Sequence, residues 1–486
     1  GGGGAEQETR RECCVCLERL PLFLTKDSLV NPLCRMLCCG KTMHEDCQKR
    51  LERNAFTNTH SKDLCPMCRA ERPDDEAACH AKALEHAKDG KAWAMFDIGC
   101  DFLTGRGGVS VSAKKARVWL GRAAVAGHLD AAFSLAGMHV QGDGGPTSLQ
   151  EARRLYTIVA TAGHPEAQSR LAEMYSSGAG GPMSQKQARS WFGKAAEQGE
   201  LEAQLAMAQM CGSGQGGPAS PAKARHWIMK AAEQGHVQSQ YSAALMCFTG
   251  QGGGPVSKKQ SRVWFKKAAE KRHVLAQQKL AGMYRDGDGG AVDLKQARFW
   301  YKKAAEQGDL ESQFLLGGMH MTSEGGPVSE EMAKFWFKKA AEQGDRESQF
   351  NLGVMFRNGE SSDESFKQQR LWFGKAGRQG HMMAQYFMGS LHQRGQGGPV
   401  SMEKARIWYE RAAKQGDKPS QKILASMIAR GLGDPAGTAT GDSCAYCRKV
   451  VPRMMGCPCG LAQYCSKECQ RGHWPVHKKV HKKTHA

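Results

Sequence analysis

The chain has 486 residues, 40% hydrophobic and 24% charged, enough to bury sizeable cores, and its length favours about three domains. No run approaches the roughly 18 uncharged apolar residues of a membrane helix, which excludes a helix-spanning membrane protein. Lys and Arg (68) exceed Asp and Glu (48) by 20, which admits nucleic acid, acidic peptides and anionic surfaces as partners.

Most of that surplus is central: residues 1–75 hold 12 basic and 12 acidic groups, residues 76–433 hold 47 and 33, and residues 434–486 hold 9 and 3. The 19 cysteines are distributed oppositely, nine between Cys13 and Cys68 and six between Cys444 and Cys469. C-x2-C spacing mixed with histidines, without a visible secretory signal, reads as zinc sites in a reducing, intracellular compartment, cytoplasmic and/or nuclear, rather than as disulfides. Residues 1–12 are a Gly-rich tail that opens without an initiator Met, as a fragment that has lost a leading segment would.

Residues 13–72 carry Cys13-x2-Cys16, then Cys38-Cys39-Gly40-x3-His44-x2-Cys47, then Cys65-Pro66-Met67-Cys68-Arg69. Soft thiolate and imidazole donors at these spacings suit tetrahedral zinc. The arrangement resembles a RING finger. That resemblance implies one zinc on Cys13, Cys16, His44 and Cys47 and a second on Cys38, Cys39, Cys65 and Cys68. Lys41 stands where a ligand His is usual, and vicinal Cys38 and Cys39 would strain one metal, so Cys34 and His60 remain alternatives to Cys38. The family further implies docking of a ubiquitin-conjugating enzyme at Val15 and Pro66, with Arg69 placed to contact the donor ubiquitin. Residues 73–90 are expected to form a linker and a first helix.

Residues 91–433 repeat. A-A-E-Q-G or a variant ends at Gly90, Gly127, Gly163, Gly199, Gly235, Arg272, Gly308, Gly344, Gly380 and Gly416, with a Trp eight residues earlier in most units, and Leu155 in that place once. The unit from Glu200 to Gly235 shows the local physics. Good helix formers from Leu201 to Cys211 place Ala203, Met207 and Met210 on one stripe, residues 212–218 break the chain, and Ser220-Pro221 opens a second helix that Gly235 stops. Neither helix buries its stripe alone, so neighbouring hairpins must stack. Small residues in Leu135-Ala136-Gly137-Met138 and Leu316-Gly317-Gly318-Met319 would let helices approach closely.

The pattern A-x-Q-x-x-L-[AG]-x-M, G-x-G-G-P-V-S, K-A-R-x-W-x-x-K-A-A-E-Q-G resembles the Sel-1-like repeat, a relative of the tetratricopeptide repeat. The implied fold is mostly α: a right-handed superhelical solenoid of about nine antiparallel helix hairpins, flanked by two small zinc-stabilised fingers. Ala291 in place of the loop Pro, residues 358–364 without Gly-Gly-Pro, and Arg272 in place of Gly predict fraying nearby. Two columns draw attention. Arg117, Arg153, Arg189, Arg225, Arg262, Arg298, Lys334, Arg370 and Arg406 form a basic ladder, read as solvated helix faces paired with nearby Glu in preference to an acidic-partner site. Phe133, Ser169, Leu205, Tyr241, Gln278, Phe314, Phe350, Tyr386 and Lys422 form a variable column, read as inter-repeat packing.

Residues 434–443 read as a linker. Cys444-x2-Cys447, Cys457-x-Cys459, Tyr464-Cys465-x3-Cys469 and His473-Trp474-x2-His477-x3-His481 then resemble a MYND finger across 444–481, ahead of a basic tail at 482–486. Its interleaved pairing implies zinc on Cys444, Cys447, Cys465 and Cys469, and on Cys457, Cys459, His477 and His481, which makes four zincs with the RING. Such fingers generally bind short, often proline-containing peptides. The leading reading is therefore an intracellular protein-protein interaction scaffold or adaptor, whose repeats and MYND finger bind proteins or peptides. The alternatives are a RING-type ubiquitin ligase and a nucleic-acid or chromatin-associated adaptor. No intrinsic active site is visible, and the recurring Gly-rich segments are turns rather than phosphate cradles.

Overall fold

A computed structural model describes residues 76–359 and 362–433, and the backbone of two short strands, β1 (Met455–Gly456) and β2 (Gln463–Tyr464). The chain divides into two compact units, Gly1–Ser257 and Lys258–Ala486. In the first, the helices are α1 (Glu76–Lys88), α2 (Ala92–Thr104), α3 (Ala113–Val125), α4 (Leu129–Gln141), α5 (Leu149–Thr161), α6 (Pro165–Ser177), α7 (Gln185–Glu197), α8 (Leu201–Ser213), α9 (Pro221–Glu233) and α10 (Val237–Thr249). In the second they are α11 (Lys258–Glu270), α12 (Val274–Asp286), α13 (Leu294–Glu306), α14 (Leu310–Met321), α15 (Glu330–Glu342), α16 (Arg346–Asn358), α17 (Asp363–Arg378), α18 (Met382–Arg394), α19 (Met402–Lys414) and α20 (Lys418–Ala429). Among the described residues no helix is long and apolar enough to cross a membrane. The only described strands are β1 and β2, paired antiparallel with Met455 opposite Tyr464.

The hairpin α8–α9 follows its sequence closely. Ala203, Met207 and Met210 are buried, Ser220 Oγ accepts the Lys223 amide, Pro221 begins α9, and Gly235 takes the left-handed conformation that ends the unit. Apart from α2, whose N-cap Lys91 makes no side-chain hydrogen bond, the first helix of each hairpin carries a side-chain cap. The Nδ1 of His128, His164, His236, His273 and His381, or a carboxylate of Glu200, Asp309, Asp345 or Asp417, accepts the amide three residues on.

The core of each unit is made by consecutive hairpins. In the first, Ile98, Leu120, Leu135, Leu155, Val159 and Leu171 belong to one buried cluster, and Phe192, Met207 and Met210 to the next. In the second, Phe337, Phe373 and Tyr409 each anchor a cluster. Buried glutamines reinforce this packing. Gln349 Nε2 donates to Ala341 O at the end of α15 (3.1 Å), while Gln379 Nε2, just past α17, donates to Gln349 Oε1 (2.9 Å). The same pairing joins Gln198 to Gln168, Gln234 to Gln204, Gln307 to Gln277, Gln343 to Gln313 and Gln415 to Gln385. Each pair ties the end of one hairpin to both helices of the next and satisfies amides that would otherwise be costly to bury.

Two expectations need correction. Helices do not fray beside Arg272 and Ala291: α11, α12 and α13 keep the 13-residue length usual in these hairpins, and Arg272 itself adopts φ 65° to preserve the turn. Nor do all the small residues serve close packing. A Cβ at Gly317 would lie 2.8 Å from the Phe337 ring, whereas Gly318 meets nothing within 4 Å and Gly137 only Tyr156 Oη at 3.8 Å.

Candidate functional site

The basic ladder is neither a row of solvated charges paired with Glu nor an open strip of free cations. Most of its members grip the loop of the following hairpin. Arg189 on α7 donates to Gln215 O (3.1 Å) and Pro218 O (3.2 Å) and approaches Cys211 Sγ at 3.3 Å. Arg117 bonds Asp143 O and Pro146 O, Arg153 bonds Pro182 O, Arg225 bonds Gln251 O, Arg298 bonds Pro327 O, and Arg370 bonds Leu391 O and Pro399 O. A planar fork with five N–H donors suits this task, since a loop exposes several carbonyls that no helix can satisfy. The loop glycines have the matching reason. At Gly216 (φ 70°) a Cβ would be driven into Gln185 O, and at Gly217 it would sit 3.0 Å from the Arg189 guanidinium.

A second column, 22 residues beyond the basic one, receives these side chains: His139, Tyr175, Cys211, Cys247, Tyr284, His320, Phe356 and His392. Arg153 lies 3.9 Å from the Tyr175 centroid, Arg262 3.8 Å from Tyr284, and Lys334 4.0 Å from Phe356, all within cation–π range. Arg117 Nη2 meets His139 Nδ1 at 2.6 Å, and because a guanidinium only donates, that nitrogen must be neutral. Burial, then Arg117, lowers the His139 pKa, and burial with Arg370 and Lys404 pushes His392 down to about 4. Only Arg406 is paired as expected, with Glu410 of its own helix at 3.1 Å.

The variable column packs as its aromatics predict. Phe133 stacks on His164 (4.7 Å) and meets Tyr156 edge-on (5.6 Å); Phe350 stacks on His381 (4.1 Å); and Tyr386 meets Tyr409 at 6.0 Å. These rings remain half-buried rather than fully enclosed, so the face they form is both core and surface. In the first unit that face holds a groove of about 450 Å³ between α2, α4 and α6. Its rim bears Asp143, Glu166 and Glu173, with Arg170 between the two glutamates at 3.6 and 3.4 Å.

The described residues contain no cluster of three metal-ligating side chains. Cys100 is buried, which pushes its thiol up to about 12 and leaves it inert. Every sequence-predicted zinc ligand, and Val15, Pro66 and Arg69, lies outside the described residues. For the C-terminal set the strands supply one local fact: Cys457 and Cys459 fall within the connection between β1 and β2, and Cys465 directly follows β2. Six thiols and two imidazoles are a donor set whose chemistry fits zinc.

Comparison with known families gives these observations a frame. The Sel1 repeat model matches nine consecutive segments, 94–128, 129–164, 165–200, 201–236, 237–273, 274–309, 310–345, 346–381 and 383–417. The chain belongs to the Sel1 repeat family. The MYND finger model matches residues 444–481, so this Sel1-repeat chain also carries a MYND finger. Among solved structures it is similar to a protective antigen of uropathogenic Escherichia coli with an SLR fold: 30% identity, 80% of this chain and 81% of that one covered, TM-score 0.58. It is also similar to a Sel1 repeat protein from Oxalobacter formigenes, at 26% identity over 75% and 97% of the two chains, TM-score 0.47. No curated protein matches it.

Proposed function

We propose that this Sel1-repeat chain is an intracellular adaptor that holds other proteins on its repeats and through its MYND finger, without chemistry of its own. The observation that carries this reading is the division of labour in the repeats. Most of the basic ladder is engaged in holding hairpins together, while the first helices leave a face of half-buried aromatics and carboxylates for a partner. The ladder, with most of its donors turned to loop carbonyls, is a poor track for phosphates.

In this reading Cys444, Cys447, Cys465 and Cys469 hold one zinc of the MYND finger and Cys457, Cys459, His477 and His481 the other. Zinc closed by four protein ligands is structural: it supplies the folding free energy that so short a segment cannot draw from a core. Quantitative affinity capture with the zinc-loaded full chain tests the reading. A Cys465→Ser, Cys469→Ser chain should lose one set of saturably bound proteins and keep another; a wild-type chain that retains none would overturn the adaptor.

The Cys and His spacing at residues 13–68 favours a second reading, a RING-type ubiquitin ligase whose repeats and finger recruit the substrate. It requires discharge of ubiquitin from a charged conjugating enzyme, diminished by Val15→Ala and Arg69→Ala. Discharge that ignores both changes, or that is absent across a broad enzyme panel, removes the ligase and leaves the adaptor.

A further inference from the structure

The groove between α2, α4 and α6 runs against the charge of the chain that contains it. Overall, basic side chains exceed acidic ones by 20, yet the groove is lined by Asp130, Asp143, Glu166 and Glu173 against one cation, Arg170. The two glutamates share that guanidinium and stay 30% and 52% exposed, so attraction for a further cation is left at the rim. Below the rim the surface is apolar, with Phe133 half-buried and Val140 41% exposed.

Gly137 lines the groove from mid-helix in α4, and a Cβ there would meet only Tyr156 Oη at 3.8 Å, an ordinary contact, so a larger side chain at this position would project into the open space. The walls are also held before any ligand arrives. Phe133 is stacked on His164 and met edge-on by Tyr156, and the Asp143 backbone is gripped by Arg117. A site preorganised in this way loses less entropy on binding.

We propose that this groove takes an extended basic peptide, with one aliphatic or aromatic side chain seated on Phe133 and Val140 and flanking Lys or Arg residues set against Asp143, Glu166 and Glu173. The proposal rests on the adaptor reading and names the partner class for one of its surfaces. The carboxylates exclude nucleic acid and anionic lipid from the same place, because each phosphate would face like charge.

The test is selection of a displayed random dodecapeptide library on the zinc-loaded full chain, followed by anisotropy titration of the enriched peptides. Enriched peptides should carry Lys or Arg on both sides of an apolar residue and bind less tightly as salt rises. Gly137→Leu should fill the groove and weaken binding at least about tenfold while preserving the melting temperature, and Glu166→Lys with Glu173→Lys should do the same by reversing the rim. Enrichment of acidic peptides, or basic peptides that bind both variants as well as wild type, overturns the groove. Competition by unlabelled Gly137→Leu chain, whose own groove is filled, would make a second copy the occupant and also overturn it. If the groove fails while saturable capture persists elsewhere on the chain, the adaptor reading stands; if capture fails too, both fall.

Discussion

Replacing Arg189 by Ala removes two hydrogen bonds from a cation to loop carbonyls, at 3.1 and 3.2 Å, and the outer stem and guanidinium that lie over Gly217. Bonds of this kind contribute about 1.5–3 kcal/mol each when buried. Both of these are solvent-exposed, so about 1 kcal/mol each, or ~2 kcal/mol together, is expected. Arg154 is the control: it is 60% exposed, bonds Glu151 three residues away at 2.6 Å, and is worth about 0.3–0.5 kcal/mol. In a stack of repeats the loss should be local, so hydrogen exchange is the right assay. The Ser220 amide, bonded to Cys211 O at 2.7 Å, should exchange about 30-fold faster in Arg189→Ala and no more than about twofold faster in Arg154→Ala. Arg189→Lys keeps the charge but not the fork and should fall between them. Equal exchange in Arg189→Ala and Arg154→Ala would refute the clamp and return the ladder to solvated charge.

Acid should weaken the repeats. His164 and His392 are held near 4 by burial, well below their usual 6.5, so above pH 6.5 neither folded nor unfolded chain binds the proton and their stability contribution is whole. Between about 6.5 and about 4 only the unfolded chain binds it, so the urea midpoint should fall across that window and then level off. His164→Asn retains a cap without the titration and should flatten the slope; an unchanged slope contradicts the assignment. Arg272→Gly should raise the local stability of the α11–α12 turn by about 1 kcal/mol, read as slower exchange of the Ala276 amide, because a non-Gly residue at φ 65° is disfavoured. Cys465→Ser should lower bound zinc by at least one ion per chain in elemental analysis; zinc content identical to wild type would remove Cys465 from the ligand set.

Much of the fold was legible because one local pattern recurs: stripes such as Ala203, Met207 and Met210, the Ser220-Pro221 start and the Gly235 stop state a hairpin without tertiary information. What escaped were relations between hairpins. The Gln in A-x-Q and the Gln in E-Q-G are 30 residues apart in sequence and meet within one hairpin, but the first also reaches the preceding hairpin, as Gln349 does at Ala341 O, and that contact exists only after stacking; both columns recur in most units, with Ala132 outside the first and Ala126, Ala162 and Lys271 outside the second. The ladder misled for the same reason. An Arg on a helix looks solvated until the next loop is laid over it, and the signal that would have found the clamp was the 22-residue offset to a column of His, Tyr, Cys and Phe. The groove needed the packed arrangement of α2, α4 and α6: Gly137 and Gly318 hold the same place in the repeat, and sequence alone does not show that the first lines a cleft edged by carboxylates.

The central claim is that the chain works by holding other proteins at separable surfaces. Isotope-quantified capture with wild type, Gly137→Leu and Cys465→Ser chains measures it directly. The account predicts one set of partners lost only with the filled groove and another lost only with the finger variant. A partner set that all three chains retain alike, or that disappears as a whole with either change, would contradict it.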